Sequence, residues 1–389
     1  MGIYLNPENV DFQEVLNSKI YVDKSELIQY TNSVLRTTQK YICVSRPRRF
    51  GKSMAANMLT AYYSRGCDSR RLFQGLKIAT HPDFEKHLNQ YNVIHLNMQN
   101  FLSKTQTIEQ MIALVTKAVG RDLLRAYPDA DYLDKTILTF MLDDIYQDCQ
   151  VPFIFIIDEW DCIFRSRKNQ LEEQTKYLDF LRDLLKDKSY IALAYMTGIL
   201  PIKKYGEHSA INVFYEYSMT DASPIEEFTG FTEQEVRQLC EQYNMPFSET
   251  KKWYDGYCVD GVSIYNPKSV VEAMLRGKFS NYWTQTETYE ALKIYIQSNE
   301  FGVQDVILKL LAGEKEKIDT TTFSNDMVTF ATKDDVLTLL VHLGYLTYDA
   351  ETKEIWIPND EVMEQFISTV KVMGWGSVVR ACVHSKKVV

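Results

Sequence analysis

The segment that most restricts the fold of this chain runs from Tyr41 to Leu59. Tyr41–Ser45 (YICVS) is a short apolar run of the kind that forms a buried strand. It leads straight into Arg46-Pro-Arg-Arg-Phe-Gly51-Lys52-Ser53. A segment with Met54, Met58 and Leu59 at helical spacing follows, predicting a helix over Ser53–Tyr63. A strand, a tight loop and a helix start in this order present backbone N–H groups and the positive end of a helix to an anion. Gly51 lets the backbone approach closely, Lys52 has the reach for β- and γ-phosphates, and the Ser53 hydroxyl suits magnesium. The general phosphate-loop (Walker A) pattern is G-x-x-x-x-G-K-[ST], and here Arg46 stands where the first Gly is usual. Taken alone, GKS is also compatible with an ordinary basic helix start.

A second element, about 105 residues on, weighs against the ordinary reading. PFIFIIDEWD predicts a strand over Pro152–Ile157, apolar enough to be central, ending in Asp158-Glu159. Two carboxylates at the carboxyl end of a buried strand are costly unless a site uses them. Asp158 is placed to complete a magnesium shell (Walker B), and Glu159 to polarise an attacking water. Tyr190–Met196 predicts a further strand. It ends at Thr197, for which two readings stand: a sensor of the γ-phosphate or a simple strand cap.

The rest of the first ~220 residues alternates strand and helix patterns, the mark of an α/β domain with a parallel sheet. Strands are expected over Asn92–Met98 and Val213–Ser218; similarity to P-loop ATPases with an acid pair, in which the strand ending at Thr197 lies between the loop strand and the acid-pair strand, implies the order 5-1-4-3-2. Helices are expected from a T-x-x-Q capping box at Thr107–Gln110 to about Ala126, over Leu133–Gln147, and over Glu172–Lys186. Thr232–Glu235 forms another capping box and opens a mainly helical section. A helix at Lys333–His342 precedes two alternating segments, Tyr345–Tyr348 and Glu354–Ile357, a helix-plus-hairpin pattern that suggests a winged-helix module. The expected division is residues 1–225 as the core, 226–284 as a helical lid, 285–370 as a winged-helix-like module and 371–389 as a tail.

Composition sets limits on partners. The 389 residues carry a net charge of −9, which argues against a nucleic-acid coat. From Arg36 to Arg71, however, there are nine basic residues and one acid, Asp68. Arg46, Arg48, Arg49 and Lys52 are assigned to phosphates, and the remaining five make an unremarkable solvated surface. Acids such as Asp334, Asp335, Glu351, Glu354, Asp360 and Glu361 crowd the winged-helix-like module, so nucleic acid is an unsupported partner. Seven scattered cysteines without a CxxC pair imply a reduced, intracellular chain. The amino terminus has no secretory pattern, and no apolar run approaches the ~20 residues of a membrane span, so a cytoplasmic protein is expected. The six histidines show no metal-ligand spacing, and His95, between Ile94 and Leu96, reads as structural.

Four stretches, YVDKSELI (Tyr21–Ile28), SRPRRFGKSM (Ser45–Met54), FIIDEWD (Phe155–Asp161) and MTGILPIKK (Met196–Lys204), resemble the AAA-ATPase-like proteins of bacteria and archaea. FTGFTEQEV, KWYDGY and YNPKSVVEAM extend the resemblance through nearly the whole chain. In that family, Arg in place of the first loop Gly is itself usual. The resemblance implies a P-loop ATPase with ATP and Mg2+ as ligands, and it implies nucleotide and magnesium roles for Lys52, Ser53, Asp158 and Glu159. The loop residues Arg46, Pro47, Arg48, Arg49, Phe50, Gly51 and the following Met54 complete the nucleotide-binding set. Arg48 and Arg49 either add charge against the phosphates or bind a neighbouring acidic surface. Asp161 is a candidate to hold Arg49 or to orient water. Lys203 and Lys204 are candidates to stabilise transferred charge or a solvated pair. Trp253, Tyr254 and Tyr257 are expected in the lid core.

Members of this family commonly carry a carboxyl-terminal nuclease-like domain of the PD-(D/E)XK type. The sequence after Phe366 has no acid followed by (D/E)-x-K at a strand end, so a truncated or frame-shifted member is expected. The function expected is Mg-dependent ATP hydrolysis that drives or gates an effector, with a protein effector or a further copy of the chain as partner. The alternatives are a nucleotide-binding switch with negligible turnover and a non-hydrolysing remnant of a mobile-element or defence nuclease system.

Overall fold

The computed structural model describes residues 2–202, 211–283, 300–323 and 330–372. Lys203, Lys204 and most of the expected tail lie outside these residues. Among the described residues, one compact unit takes in 2–44 and 52–216, and another takes in 45–51 and 217–372.

The first unit is built on a sheet whose strands are β1 (Tyr41–Ser45), β2 (Asn92–Asn97), β3 (Phe153–Asp158), β4 (Ile191–Gly198) and β5 (Tyr215–Tyr217). They lie in the order β2-β3-β4-β1-β5, which is the expected 5-1-4-3-2 read from the other edge. β2, β3 and β4 pair in parallel, with Asn97 opposite Asp158 and Ile157 opposite Met196. All of β1, β3 and β4 is buried. Each apolar side chain of Phe153–Ile157 contributes ~1.5–3 kcal/mol through burial, which offsets the cost of carrying Asp158 inward at the end of the strand.

The helices of this unit are α1 (Val10–Leu16), α2 (Leu27–Val34), α3 (Lys52–Tyr63), α4 (Arg70–Phe73), α5 (Phe84–His87), α6 (Met98–Leu102), α7 (Ile108–Ala126), α8 (Leu138–Cys149), α9 (Cys162–Ser166) and α10 (Leu171–Leu185). α3 packs against β2, β3 and β4, which brings its first turn to the carboxyl ends of the strands. Thr107 caps α7 by accepting from the Gln110 N–H, while the Gln110 side chain reaches back to Gln106 N, one residue earlier than a capping box requires. α8 starts five residues later than expected. Asp134 draws in the Thr136 N–H and hydroxyl, a local turn that competes with helix over this stretch.

In the second unit, α11 (Glu233–Tyr243) opens on the complete Thr232–Glu235 capping box, followed by α12 (Phe247–Tyr254) and α13 (Pro267–Arg276). β6 (Phe231–Thr232), β7 (Tyr257–Val259) and β8 (Val262–Tyr265) form an antiparallel sheet in the order β6-β8-β7. This sheet adds three strands to the mainly helical section that was expected. Asp260-Gly261 between alternating segments is a hairpin signal, and both residues have positive φ. Further on, helix Lys333–His342 has the expected bounds. β10 (Thr347–Asp349) and β11 (Glu354–Trp356) form the expected antiparallel pair, to which β9 (Glu316–Lys317) adds a third strand. Tyr254 and Tyr257 are buried, but Trp253 is half-exposed rather than a core residue.

Candidate functional site

The site is assembled where β2, β3 and β4 end and α3 begins. Asp158 is nearly fully buried at the last position of β3 and gathers four donors. The Ser53 hydroxyl donates to its Oδ2 at 2.7 Å and the Asn97 amide to the same oxygen at 3.4 Å. The Thr197 hydroxyl and the Glu159 N–H, at 3.0 Å, donate to Oδ1. Ser53, Asp158 and Thr197, from three separate elements, therefore converge on one carboxylate. Asn97 is a fourth member that sequence reasoning missed. Its signal was a polar residue at the carboxyl end of an apolar strand, the same signal that pointed to Asp158. Asn97 also caps α6 by accepting from Asn100 N, which ends β2 one residue before the expected Met98.

Lys52 is buried at the start of α3, and burial lowers its pKa below the usual lysine range. The carboxylates of Glu159, Asp158 and Asp161 act in the opposite direction. The ammonium thus faces a concentration of negative charge, where an oxyanion or its counter-cation alters the balance directly. His95 pairs its ring Nδ1 with the Thr60 hydroxyl at 3.2 Å, and burial lowers its pKa from the usual histidine value.

Immediately past β3 the chain turns sharply, with Glu159 in the left-handed region at φ 56°. Its carboxylate is ion-paired with Arg165 of α9, and Arg165 Nε also lies 3.2 Å from Asp161. Asp161 is fully buried, and its Oδ2 accepts from Ile199 N at 3.0 Å and Leu200 N at 2.9 Å. Asp161 therefore pairs with Arg165 and ties down the chain leaving β4. Burial works against the Arg165 charge, but Asp161 and Glu159 outweigh it and keep its pKa above the ordinary value. Arg165 is the second residue that the sequence reading missed. Asp161 and Arg165 are four apart, a readable helical pairing, but the reach to Glu159 depends on the left-handed turn. Gly198 is required beside this turn, because a Cβ there would come within 2.6 Å of Trp160 Nε1.

The loop residues 45–51 are described within the second unit. Arg46 is fully buried, and its guanidinium donates to the carbonyls of Ser45 at 3.0 Å and Tyr217 at 2.9 Å. These two carbonyls place part of the Arg46 guanidinium within the protein interior. Phe50 is also fully buried, with its ring edge-on to Tyr257 at 5.2 Å and its carbonyl accepting from Gly230 N at 2.9 Å. Pro47 packs so closely on Gly344 that a Cβ on that glycine would lie 2.8 Å from the proline ring. Arg48 is half-buried and Arg49 exposed. Arg49 and Gly51 both have positive φ, at 72° and 88°. No atom lies within 4 Å of a Cβ built on Gly51, so its φ, rather than crowding, calls for glycine there. Met54, at the outer face of α3, is exposed.

A sheet of this order, with a phosphate-loop sequence between β1 and α3, places the chain in the P-loop NTPase fold class. Comparison with known proteins carries this to a family. The chain belongs to the AAA-ATPase_like family of predicted AAA-ATPases, whose model matches residues 10–206, just over half its length. An uncharacterized protein encoded in the vnfD 5′ region of Azotobacter chroococcum mcd 1 is 23% identical over 252 residues, 63% of this chain and 47% of that protein. The chain thus spans about half the length of this curated relative. Among solved structures, the ORC2 protein of Aeropyrum pernix in ADPNP–ADP complexes aligns at 13% identity and TM-score 0.36, covering 92% of this chain and 97% of that one. AMPPCP-bound DnaA of Aquifex aeolicus aligns at 8% identity and TM-score 0.29, covering 96% of each chain. Alignments this loose give no residue correspondence. Among the described residues no helix is long and apolar enough to cross a membrane.

Proposed function

We propose that this chain binds ATP with magnesium and hydrolyses the β–γ phosphoanhydride bond, using the state of the nucleotide to drive or gate an effector. The observation that carries the reading is the convergence of Ser53 and Thr197 on Asp158 beside the buried Lys52. A hydroxyl and a carboxylate 2.7 Å apart form the hard oxygen donor set that magnesium prefers, and it takes few protein ligands. Ser53 and Asp158 would hold that ion, which when bound neutralises charge on the β- and γ-phosphate oxygens. The protein side chains supply the rest. Lys52 compensates the γ-phosphate charge, and the amides of the loop through Gly51 orient the chain of phosphates. Glu159 accepts a proton from water as the water oxygen attacks the γ-phosphorus, and ADP leaves with the electron pair of the broken bond. Thr197 reports the γ-phosphate through its hydroxyl, which rests on Asp158. Residues 226–284 and 285–370 are proposed as the lid and winged-helix-like modules through which the cycle is read out, with a protein effector or another copy of the chain as partner.

The test is calorimetric titration with ATP and magnesium followed by measurement of phosphate release. One bound ATP per chain and turnover that disappears on chelating magnesium are expected. A well-folded preparation that binds no ATP contradicts the proposal. A second reading, a switch of low turnover, is favoured by one observation: the carboxylate assigned to water activation is already paired with a guanidinium.

A further inference from the structure

We propose that the outer face of α8 is a docking surface for a positively charged amphipathic segment of a partner protein. The proposal gives the effector of the ATPase reading a chemistry and a landing site, and it rests on that reading only for what docking achieves. α8 meets the core of its unit through Leu138, Met141, Leu142 and Ile145. Three further large apolar side chains stay in solvent: Leu133 is 76% exposed, Ile137 41% and Phe140 40%. Scattered singly, such residues need no explanation, but these three lie together. Ile137, Phe140, Asp144 and Asp148 share one face of the helix by their spacing. The Leu133 N–H donates to Asp144 Oδ2 at 2.9 Å, which places Leu133 beside that face.

One of the three is a poor choice for the helix it begins. Ile137 is the N-cap of α8, with extended backbone angles and no side-chain cap, where Ser, Asp or Asn would accept a backbone N–H. An apolar side chain kept in water at a capping position is a local conflict of the kind that binding surfaces carry. Charge then selects the partner. Between residues 129 and 148 there are six aspartates and one basic residue, Lys135, whose ammonium lies 5.6 Å from the centre of the neighbouring Tyr132 ring. Among the described residues, Asp131, Asp144 and Asp148 form no ion pair. Uncompensated negative charge beside apolar side chains repels nucleic acid and anionic lipid, and favours a cationic segment that can cover Leu133, Ile137 and Phe140. A basic amphipathic helix presents both features on adjoining faces.

The probe is a fluorescein-labelled peptide of leucine and lysine at helical spacing, ~16 residues long, read by fluorescence anisotropy without nucleotide at ~50 and ~300 mM salt. The full chain should bind it, more weakly at the higher salt, and should not bind the matching leucine–glutamate peptide. Leu133→Ser with Phe140→Ser should lower affinity ~10-fold or more. Asp131→Asn with Asp148→Asn should lower it ~3–10-fold at low salt. Leu275→Ser, at an exposed leucine of the second unit, should leave it unchanged. Ile137→Ser supplies the missing cap, so it should weaken binding while the melting temperature stays equal to the wild type or rises. A purely structural role for Ile137 would lower the melting temperature and leave binding alone. The proposal is overturned by a wild type that does not bind the basic peptide, or by equal binding to the wild type and the Leu133→Ser, Phe140→Ser variant. Light scattering that shows a wild-type dimer dissolved by the same two substitutions assigns the face to a second copy and also overturns it. Absence of ATP binding overturns the ATPase reading and leaves the peptide measurement intact.

Discussion

At the end of β3, Asp158, Glu159 and Asp161 are held by directional polar contacts: hydroxyls, amide N–H groups and the Arg165 guanidinium. The loop 45–51 is held differently. Phe50 is buried against Tyr257, Pro47 against Gly344, and Arg46 uses its charge on carbonyl oxygens. The first region therefore concentrates charge with defined chemistry, and the second fixes a backbone shape. Substitutions in the two regions should fail in different ways: the strand end should lose rate before stability, and the loop should lose stability together with affinity.

The largest effect is expected at the loop anchor. Phe50→Ala removes a fully buried ring and should lower unfolding stability by ~3–5 kcal/mol in urea denaturation. A cost below ~1 kcal/mol would show that the loop is not anchored through this ring. Lys52→Ala should reduce phosphate release by ~10²–10³-fold, the usual cost of losing a charge stabiliser at a reacting phosphate. If it were to leave turnover within a few-fold of the wild type, the division between charge and shape would collapse.

Glu361 extends the contrast to a buried carboxylate of the second unit held by neutral donors. Ser269 Oγ, Tyr282 N and Trp283 N donate to its Oε1 at 3.0, 2.6 and 2.9 Å. Burial outweighs these bonds and raises its pKa from 4.5 to about 7. Over that interval the folded protein keeps a proton that the unfolded chain has released. The contribution to stability is thus complete below 4.5 and is lost as the pH rises through 7. Glu361→Gln keeps the acceptor oxygen, so it should match the wild type near pH 5 and exceed it by ~1–2 kcal/mol at pH 8 in urea melts. Identical pH profiles for the two proteins would refute the buried-carboxylate account. The smallest change is expected for Gly51→Ala. It has free space but must hold φ near 88°, a strain of ~1 kcal/mol, and ATP affinity should fall with it.

The contrast also explains what could be read from the sequence. Strand β1, helix α3 and the end of β3 carry strong local signals, namely apolar runs, Gly-Lys-Ser and Asp-Glu, and they occur in the structure where the sequence put them. Residues whose contacts arise from tertiary packing were illegible. Arg46 stands in a basic loop whose sequence gives no sign of its buried carbonyl contacts. Arg165 is an ordinary helix residue until Glu159 takes its left-handed turn. Asn97 gains its role only when β2 and β3 align Asn97 with Asp158. The β7–β8 hairpin, by contrast, was legible in Asp260-Gly261 but lay inside a segment dominated by helical periodicity.

The most direct measurement compares the wild type with Glu159→Gln: ATP affinity by calorimetry and phosphate release in the presence of magnesium. The account predicts similar affinity for both and a ~10²–10³-fold loss of turnover in the variant. Equal rates of phosphate release from the two proteins would contradict it.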